Sequence, residues 1–217
     1  MLVVAIDGPA GAGKSTVARA LSRRLGIQYL DTGAMYRAVT WAVRDRGVDP
    51  TDVTAVAELA ARLTIEVELD RVTVDGHDVT AAIRSREVTA DVSTVAANSD
   101  VRSEMRRRQR AWGELRGGGV IEGRDIGTVV FPDATLKVYL TASPRTRAER
   151  RVLESGGDAD VIEVEIAERD RKDSSRSDSP LRSSADSVIV DTTDRTVDEV
   201  VDELVEHVAV RTAGDGR

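Results

Sequence analysis

Short apolar runs alternate along the chain with segments whose apolar residues recur at helical spacing. Leu2-Val3-Val4-Ala5-Ile6 is continuous and rich in β-branched residues, as befits a strand covered on both faces by helices. The run stops at Asp7-Gly8-Pro9. From Ser15 onward Val17, Ala18, Leu21 and Leu25 share one helical face, and Gly26 can close the helix. Residues 27–30 predict a second short strand, 34–46 a helix with Ala38, Val39, Ala42 and Val43 inward, and 53–63 another helix. Strand, glycine loop and helix therefore open the chain in that order.

The period then changes. Residues 65–69 and 72–74 alternate apolar and polar about Asp70-Arg71, which predicts a small antiparallel hairpin with one wet face. Residues 64–80 thus read as an insertion outside the main sheet, and helical spacing resumes over 84–115. Val120-Ile121 and Leu136-Lys137-Val138-Tyr139-Leu140 are further core strands. Ser143-Pro144 has the form of an N-cap with proline at the first helical position, and a helix over 160–174 follows Gly156-Gly157. Val188-Ile189-Val190 is the last strand. A last helix over 196–208 opens with a Thr196/Glu199 capping box and turns Val197, Val200, Val201, Leu204, Val205 and Val208 inward. The expected architecture is one α/β domain over 1–211 with a three-layer parallel sheet, followed by a frayed tail over 212–217.

Composition narrows the function. With 217 residues and 41% hydrophobic content the chain can bury one substantial core. A net charge of −7 argues against a surface built to hold nucleic-acid polymers. The absence of cysteine excludes disulfides and thiolate metal sites. No segment approaches the roughly 20 apolar residues of a membrane span, and the opening lacks an export signal. A cytoplasmic monomer with small-molecule partners is expected. Only three of the 31 basic residues are lysines, so a single arginine by itself carries little information.

Gly8-Pro9-Ala10-Gly11-Ala12-Gly13-Lys14-Ser15, followed by Thr16, matches GxxxxGK[ST] directly after a buried strand and before a helix. Glycines let consecutive backbone N–H groups converge on phosphate oxygens, and the helix N-terminus adds partial positive charge. Lys14 is expected at the β- and γ-phosphates of ATP and Ser15 at Mg²⁺. A GTPase is disfavoured, because Asn98-Ser99 holds the only asparagine and no aspartate has glycine three positions later. Transfer to an anionic phosphate acceptor needs fixed cations rather than a general base. Candidates are Arg37, Arg124 beside Asp125, the cluster Arg147, Arg150 and Arg151, and the cluster Arg169, Arg171 and Arg176 interleaved with Asp170 and Asp173. Arg124 follows a core strand, where open α/β sheets place ligands. The residues alone leave the acceptor open between nucleoside monophosphates and small molecules such as shikimate, and leave a nucleotide-binding switch module as another class.

IDGPAGAGKST, LDTGAMYR, VRSEMRRRQR, EGRDIGTVVFPDA and ERDRKDSSR lie in order along the chain, and together they resemble the bacterial cytidylate kinase family of the nucleoside monophosphate kinase group over about residues 3 to 210. The resemblance implies phosphorylation of CMP and dCMP by ATP with Mg²⁺, a five-stranded parallel core, a small antiparallel insert on the acceptor side and an arginine-bearing lid. It implies that Arg37 and Arg124 grip the acceptor phosphate and that Thr32, Ser93, Arg102 and Asp125 surround the cytosine. Arg169, Asp173 and Arg176 fall at the ribose hydroxyls or nearby phosphates. Arg147, Arg150 and Arg151 fall on the helix leading into a lid over about 154–161. A carboxylate at Asp125 suits cytosine, whose exocyclic amine donates where uracil presents a carbonyl. Serine often stands in the family where this chain has Thr32, and aspartate where it has Glu122.

Overall fold

In the computed structural model, residues 1–214 are described, and they form two compact units. The first comprises Met1–Tyr29 and the chain from Gly113 onward, and the second is Leu30–Trp112. A single domain with an insertion at 64–80 was expected. The second unit is larger because residues well outside the insertion, among them Val39, Val43, Val56, Ile83, Val92, Val101 and Met105, are buried within helices and turns of that same stretch.

The first unit carries β1 (Leu2–Asp7), α1 (Lys14–Leu25), β6 (Gly118–Gly123), β7 (Leu136–Thr141), α6 (Pro144–Ser155), α7 (Ala159–Ser174), β8 (Val188–Asp191) and α8 (Val197–Gly214), and the chain enters β2 (Tyr29–Asp31) at its boundary. The strands make a five-stranded parallel sheet in the order β2-β6-β1-β7-β8. β1 is central, paired in parallel with β6 and β7, and its residues from Val3 to Asp7 are all buried. The register sets the level at which these strands end. Asp7 lies opposite Gly123 of β6 and Tyr139 of β7, so β1 and β6 reach their carboxyl ends together while β7 runs on to Thr141. The core between sheet and helices joins Val4, Ile6, Val120, Leu136, Val138 and Leu140 to Val17, Ala18 and Leu21 of α1 and Val200, Val201, Leu204 and Val208 of α8.

Helix ends explain most differences from the expected boundaries. Gly26 adopts φ 66° and closes α1, while the Ile27 N–H donates back to the Ser22 carbonyl at 3.1 Å. Ile27 is thereby spent on the helix cap, and the second strand begins at Tyr29 instead of residue 27. Ser143 caps α6 with proline at its first position, and Asp158 caps α7 by accepting from Asp160 and Val161. Thr196 and Glu199 exchange backbone N–H bonds at 2.8 and 3.3 Å as a capping box. Val197 is exposed, one turn ahead of the buried face. α8 continues to Gly214 rather than fraying from 212. Thr212 donates to the Val208 carbonyl at 3.0 Å and Arg211 to the Thr135 carbonyl at 3.5 Å, which ties down its last turn. The rest of the expected tail, 215–217, lies outside the described residues.

The second unit holds α2 (Thr32–Asp45), α3 (Val53–Arg62), β3 (Ile65–Val67), β4 (Val72–Val74), β5 (His77–Asp78), α4 (Arg86–Val95) and most of α5 (Ser99–Arg116). Ala38, Val39, Ala42 and Val43 of α2 are fully buried, as their spacing predicts. The hairpin is joined by β5 as a third antiparallel strand. β4 has no wet face: Val72, Thr73 and Val74 are all buried, and Thr73 meets its polar need by donating to Glu66 of β3 at 3.1 Å. The helical stretch over 84–115 breaks at Asn98, whose side-chain oxygen accepts the Asp100 N–H at 3.0 Å and starts α5. No helix among the described residues is long and apolar enough to cross a membrane.

Leu204→Ala is expected to destabilise the first unit by about 2–5 kcal/mol, the range for emptying a fully buried leucine site. The urea midpoint read by circular dichroism checks this, and an unchanged midpoint would contradict the place of α8 in the core.

Candidate phosphoryl-transfer site

The glycine loop leaves β1 at its carboxyl end and turns directly into α1. Gly8 passes so close to β7 that a Cβ there would lie 2.1 Å from the Leu140 carbonyl oxygen. Gly13 stands at the N-cap of α1 with φ 84°, a left-handed conformation that only glycine adopts without strain, and the first turn carries no acidic residue. Backbone N–H groups and the positive helix end are thus presented together, which is an anion site built from main chain. Pro9, Gly11 and Ala12 complete the loop, and Ser15 and Thr16 form the first turn with Lys14.

Lys14 is buried, and its Nζ donates to the Pro9 carbonyl at 2.7 Å. Burial lowers its pKa from 10.5 to about 7, and the nearby guanidinium groups of Arg124 and Arg169 push the same way against Glu122 and Asp170. A cation that is hard to keep charged in the bare protein is matched to a ligand that brings negative charge.

Glu122 lies near the end of β6, buried, and takes two hydroxyl donors: Ser15 Oγ at 3.0 Å and Tyr29 Oη through a short hydrogen bond. Arg124 follows Gly123, and its Nε donates to Asp173 Oδ2 at 3.0 Å. Asp173 also receives Arg176 through a short ion pair. Burial alone would raise the pKa of Asp173, but Arg124, Arg176 and Arg169 outweigh it and hold the carboxyl below its usual range. One buried carboxylate thus holds Arg124 beside α7, and Arg124, just past β6, and Arg169 of α7 gather near Lys14.

Arg147 and Asp170 grip the loop itself. Asp170 accepts the Ala10 N–H at 3.0 Å and forms a short ion pair with Arg147, while Arg147 donates to the Ala10 carbonyl at 3.0 Å. Arg147 Nε is buried with no hydrogen-bond partner, a donor aimed into the packed region around the loop. Arg150 donates to Thr192 through both its side chain, at 2.9 Å, and its carbonyl, at 2.6 Å, and lies 3.6 Å from where a Cβ on Gly13 would project. Arg151 pairs with Glu154 on α6 itself, at 3.0 Å. Residues 154–161 comprise the end of α6, the link through Gly156 and Gly157 and the start of α7, and Arg145 spans that link by pairing with Glu149 and Asp160.

In the second unit Thr32 is the buried first residue of α2, behind Asp31, which caps the helix by accepting the Ala34 N–H at 2.9 Å. Arg37 donates to the Ile83 carbonyl at 3.0 Å and to Thr89 Oγ1 at 2.9 Å. Arg102 is 1% exposed, donates to the Ala96 carbonyl at 3.1 Å and stacks 5.5 Å over Tyr36. Ser93 is half-buried on α4.

Sequence reading missed four participants: Asp7, Tyr29, Asp170 as a partner of the loop, and Thr192. Each acts on residues far away in the chain, so no local spacing marked it.

A family model described as cytidylate kinase matches residues 4–210. The chain is 54% identical to a bifunctional pantoate ligase/cytidylate kinase of Prochlorococcus marinus (strain MIT 9303), over 85% of this chain and 40% of that one. It is 51% identical to a bifunctional pantoate ligase/cytidylate kinase of Nostoc sp. (strain PCC 7120 / SAG 25.82 / UTEX 2576), over 88% and 38% respectively. The chain therefore spans about two fifths of the length of these curated relatives. Among solved structures, a shikimate kinase from Acinetobacter baumannii in complex with shikimate has a TM-score of 0.52 at 13% identity, over 97% of this chain and 94% of that one, a likeness of fold alone. With its glycine loop, its arginines just past β6 and on α7, and a family match from residue 4 to residue 210, the chain belongs to the cytidylate kinase family.

Proposed function

We propose that this protein transfers the terminal phosphoryl group of ATP to CMP and dCMP. The observation that carries the reading is the buried Lys14 with the half-buried Arg124 and Arg169 near it, beside an anion-binding loop and all in one unit. In-line transfer between two phosphates brings like charges together, and fixed cations in a water-poor setting are what such a step requires. The acceptor phosphate is already anionic, so no side chain has to remove a proton.

The loop residues Gly8 to Thr16 hold the ATP phosphates in this reading, with Lys14 at the β- and γ-phosphates. Arg124 and Arg37 take the acceptor phosphate. Arg169, Asp173 and Arg176 take the ribose or nearby phosphate, and Thr32, Ser93, Arg102 and Asp125 read the base. Arg147, Arg150 and Arg151 stabilise the donor from α6. Support comes from family membership and from the anchoring of Arg37, Arg102, Arg124 and Arg147 by fixed partners, which reduces the ordering each needs before it meets a ligand. Ser15 Oγ and the Glu122 carboxylate, 3.0 Å apart, are a hydroxyl and a carboxylate oxygen suited to a small hard cation that keeps most of its waters. Mg²⁺ would neutralise part of the phosphate charge there.

An ADP-release assay across CMP, dCMP, UMP, AMP, GMP and shikimate is expected to show the highest kcat/KM with CMP and dCMP. Equal or better turnover of the others would refute the acceptor assignment. Asp125→Asn is expected to lower kcat/KM for CMP more than for UMP, and equal losses would contradict its role at the base. Lys14→Ala is expected to cut kcat by about 10²–10³, the scale for removing one fixed cation or donor from a transition state, with an unchanged far-UV circular dichroism spectrum as the control for folding.

The position of Lys14 adds a proton linkage. Its folded pKa, about 7, lies below its ordinary value, so between about pH 7 and 10.5 the unfolded chain holds the extra proton and the bare fold gains stability as pH rises. ATP brings negative charge and restores the ammonium. Calorimetric titration in buffers of different ionisation enthalpy is expected to show net proton uptake on ATP binding at pH 8.5, less at pH 6, and none of that difference in Lys14→Met. The same proton count at both pH values would rule the linkage out.

A further inference from the structure

Asp125 stands at the N-cap position of the π-helical turn Ile126–Val130, where an aspartate ordinarily accepts the first N–H groups of the turn with its own carboxylate. It makes no such cap. Those N–H groups go to Asp7 at the end of β1: Ile126 N–H to Asp7 Oδ1 and Gly127 N–H to Oδ2, both at 2.8 Å. Asp7 is buried, and the two residues are 119 and 120 positions away in the chain. The turn is tight, since a Cβ on Gly127 would come within 3.1 Å of the Lys137 side chain. It closes through the Phe131 N–H on the Ile126 carbonyl at 2.7 Å, a π-type bond of the kind that concentrates at functional sites.

This arrangement is electrostatically unfavourable by itself. Burial pushes the Asp7 carboxyl up to about 6, and the neighbouring Asp125 charge adds to that rise against the two backbone donors and Lys14. A local cap by Asp125 would satisfy the turn without a second buried acid, but it would bend the Asp125 side chain onto its own backbone. A cap supplied from the neighbouring strand fixes the backbone that presents Arg124 and Asp125 without using the Asp125 carboxylate for it. We propose that Asp7 is a positioning residue for acceptor recognition, holding the Ile126 and Gly127 N–H groups so that Asp125 is presented to the pyrimidine edge of the acceptor. The proposal rests on the CMP reading above and adds to it a residue that acts through the backbone of Ile126 and Gly127.

The test is Asp7→Asn, whose amide accepts one of the two N–H groups and sets a donor against the other. Its ratio of kcat/KM for CMP to that for UMP is expected to fall about tenfold, the scale on which a mispositioned polar group loses discrimination. KM for ATP should stay within about twofold, because the loop N–H groups and the Lys14–Pro9 hydrogen bond do not involve Asp7. A purely architectural Asp7 would lower kcat for CMP and UMP by the same factor and leave their ratio alone, which would overturn the proposal. Asp7→Ser, which removes the charge and leaves room for a water to accept the N–H groups, carries the same readout if Asp7→Asn does not fold. Failure of both to fold would equally assign Asp7 to architecture. A wild-type protein without CMP turnover would sink the functional reading and this proposal together, whereas wild-type turnover with an unchanged ratio in the variants would sink this proposal alone.

Discussion

The site depends on the parallel register of β1 against β6. Because Asp7 lies opposite Gly123, the glycine loop and the Arg124-Asp125 segment leave the sheet at one level on adjacent strands. A parallel sheet gives this juxtaposition to strands that are far apart in the chain, and the carboxyl ends of such strands are where α/β folds gather ligands. Shifting the register by one residue would turn Glu122 from the Ser15 side of the sheet to the other and break the Asp7 cap at the same time.

What the register assembles is a set of buried and half-buried cations held by a few acids. Asp173 holds Arg124 and Arg176, Asp170 holds Arg147 against Ala10, and Glu122 faces Ser15 and Tyr29. Each acid fixes a cation or donor in place, and burial, seconded by Arg124 and Arg169, still leaves Lys14 depressed. Breaking such a pair by removing one partner strands a buried charge, which costs more than the pair contributes to stability. A ligand carrying negative charge would offset both the burial of Lys14 and its repulsion by Arg124 and Arg169.

The second unit orients its arginines from within its own stretch of chain. Arg37 donates to the Ile83 carbonyl and to Thr89 Oγ1, and Arg102 donates to the Ala96 carbonyl and lies over the Tyr36 ring. Such contacts fix where a guanidinium points before any ligand arrives, and residue type does not reveal them.

Local chemistry was legible in the chain. The strand before the loop, the glycine pattern through Gly13, Lys14 and Ser15, the Gly26 stop, the Ser143-Pro144 start and the Thr196/Glu199 box are each set within a few residues, where sterics and capping act. The buried faces of α2 and α8 were legible for the same reason, since a helix repeats its face every few residues. Tertiary structure alone decided which acid holds which donor. Asp7 reaches Ile126 across 119 residues, Glu122 reaches Ser15 across 107, and Asp170 reaches Ala10 across 160. It also decided that Lys14 sits among other cations and that residues 30 to 112 form a unit of their own. Hydrogen bonds and fields act through distance in space, and a one-dimensional pattern records only neighbours along the backbone.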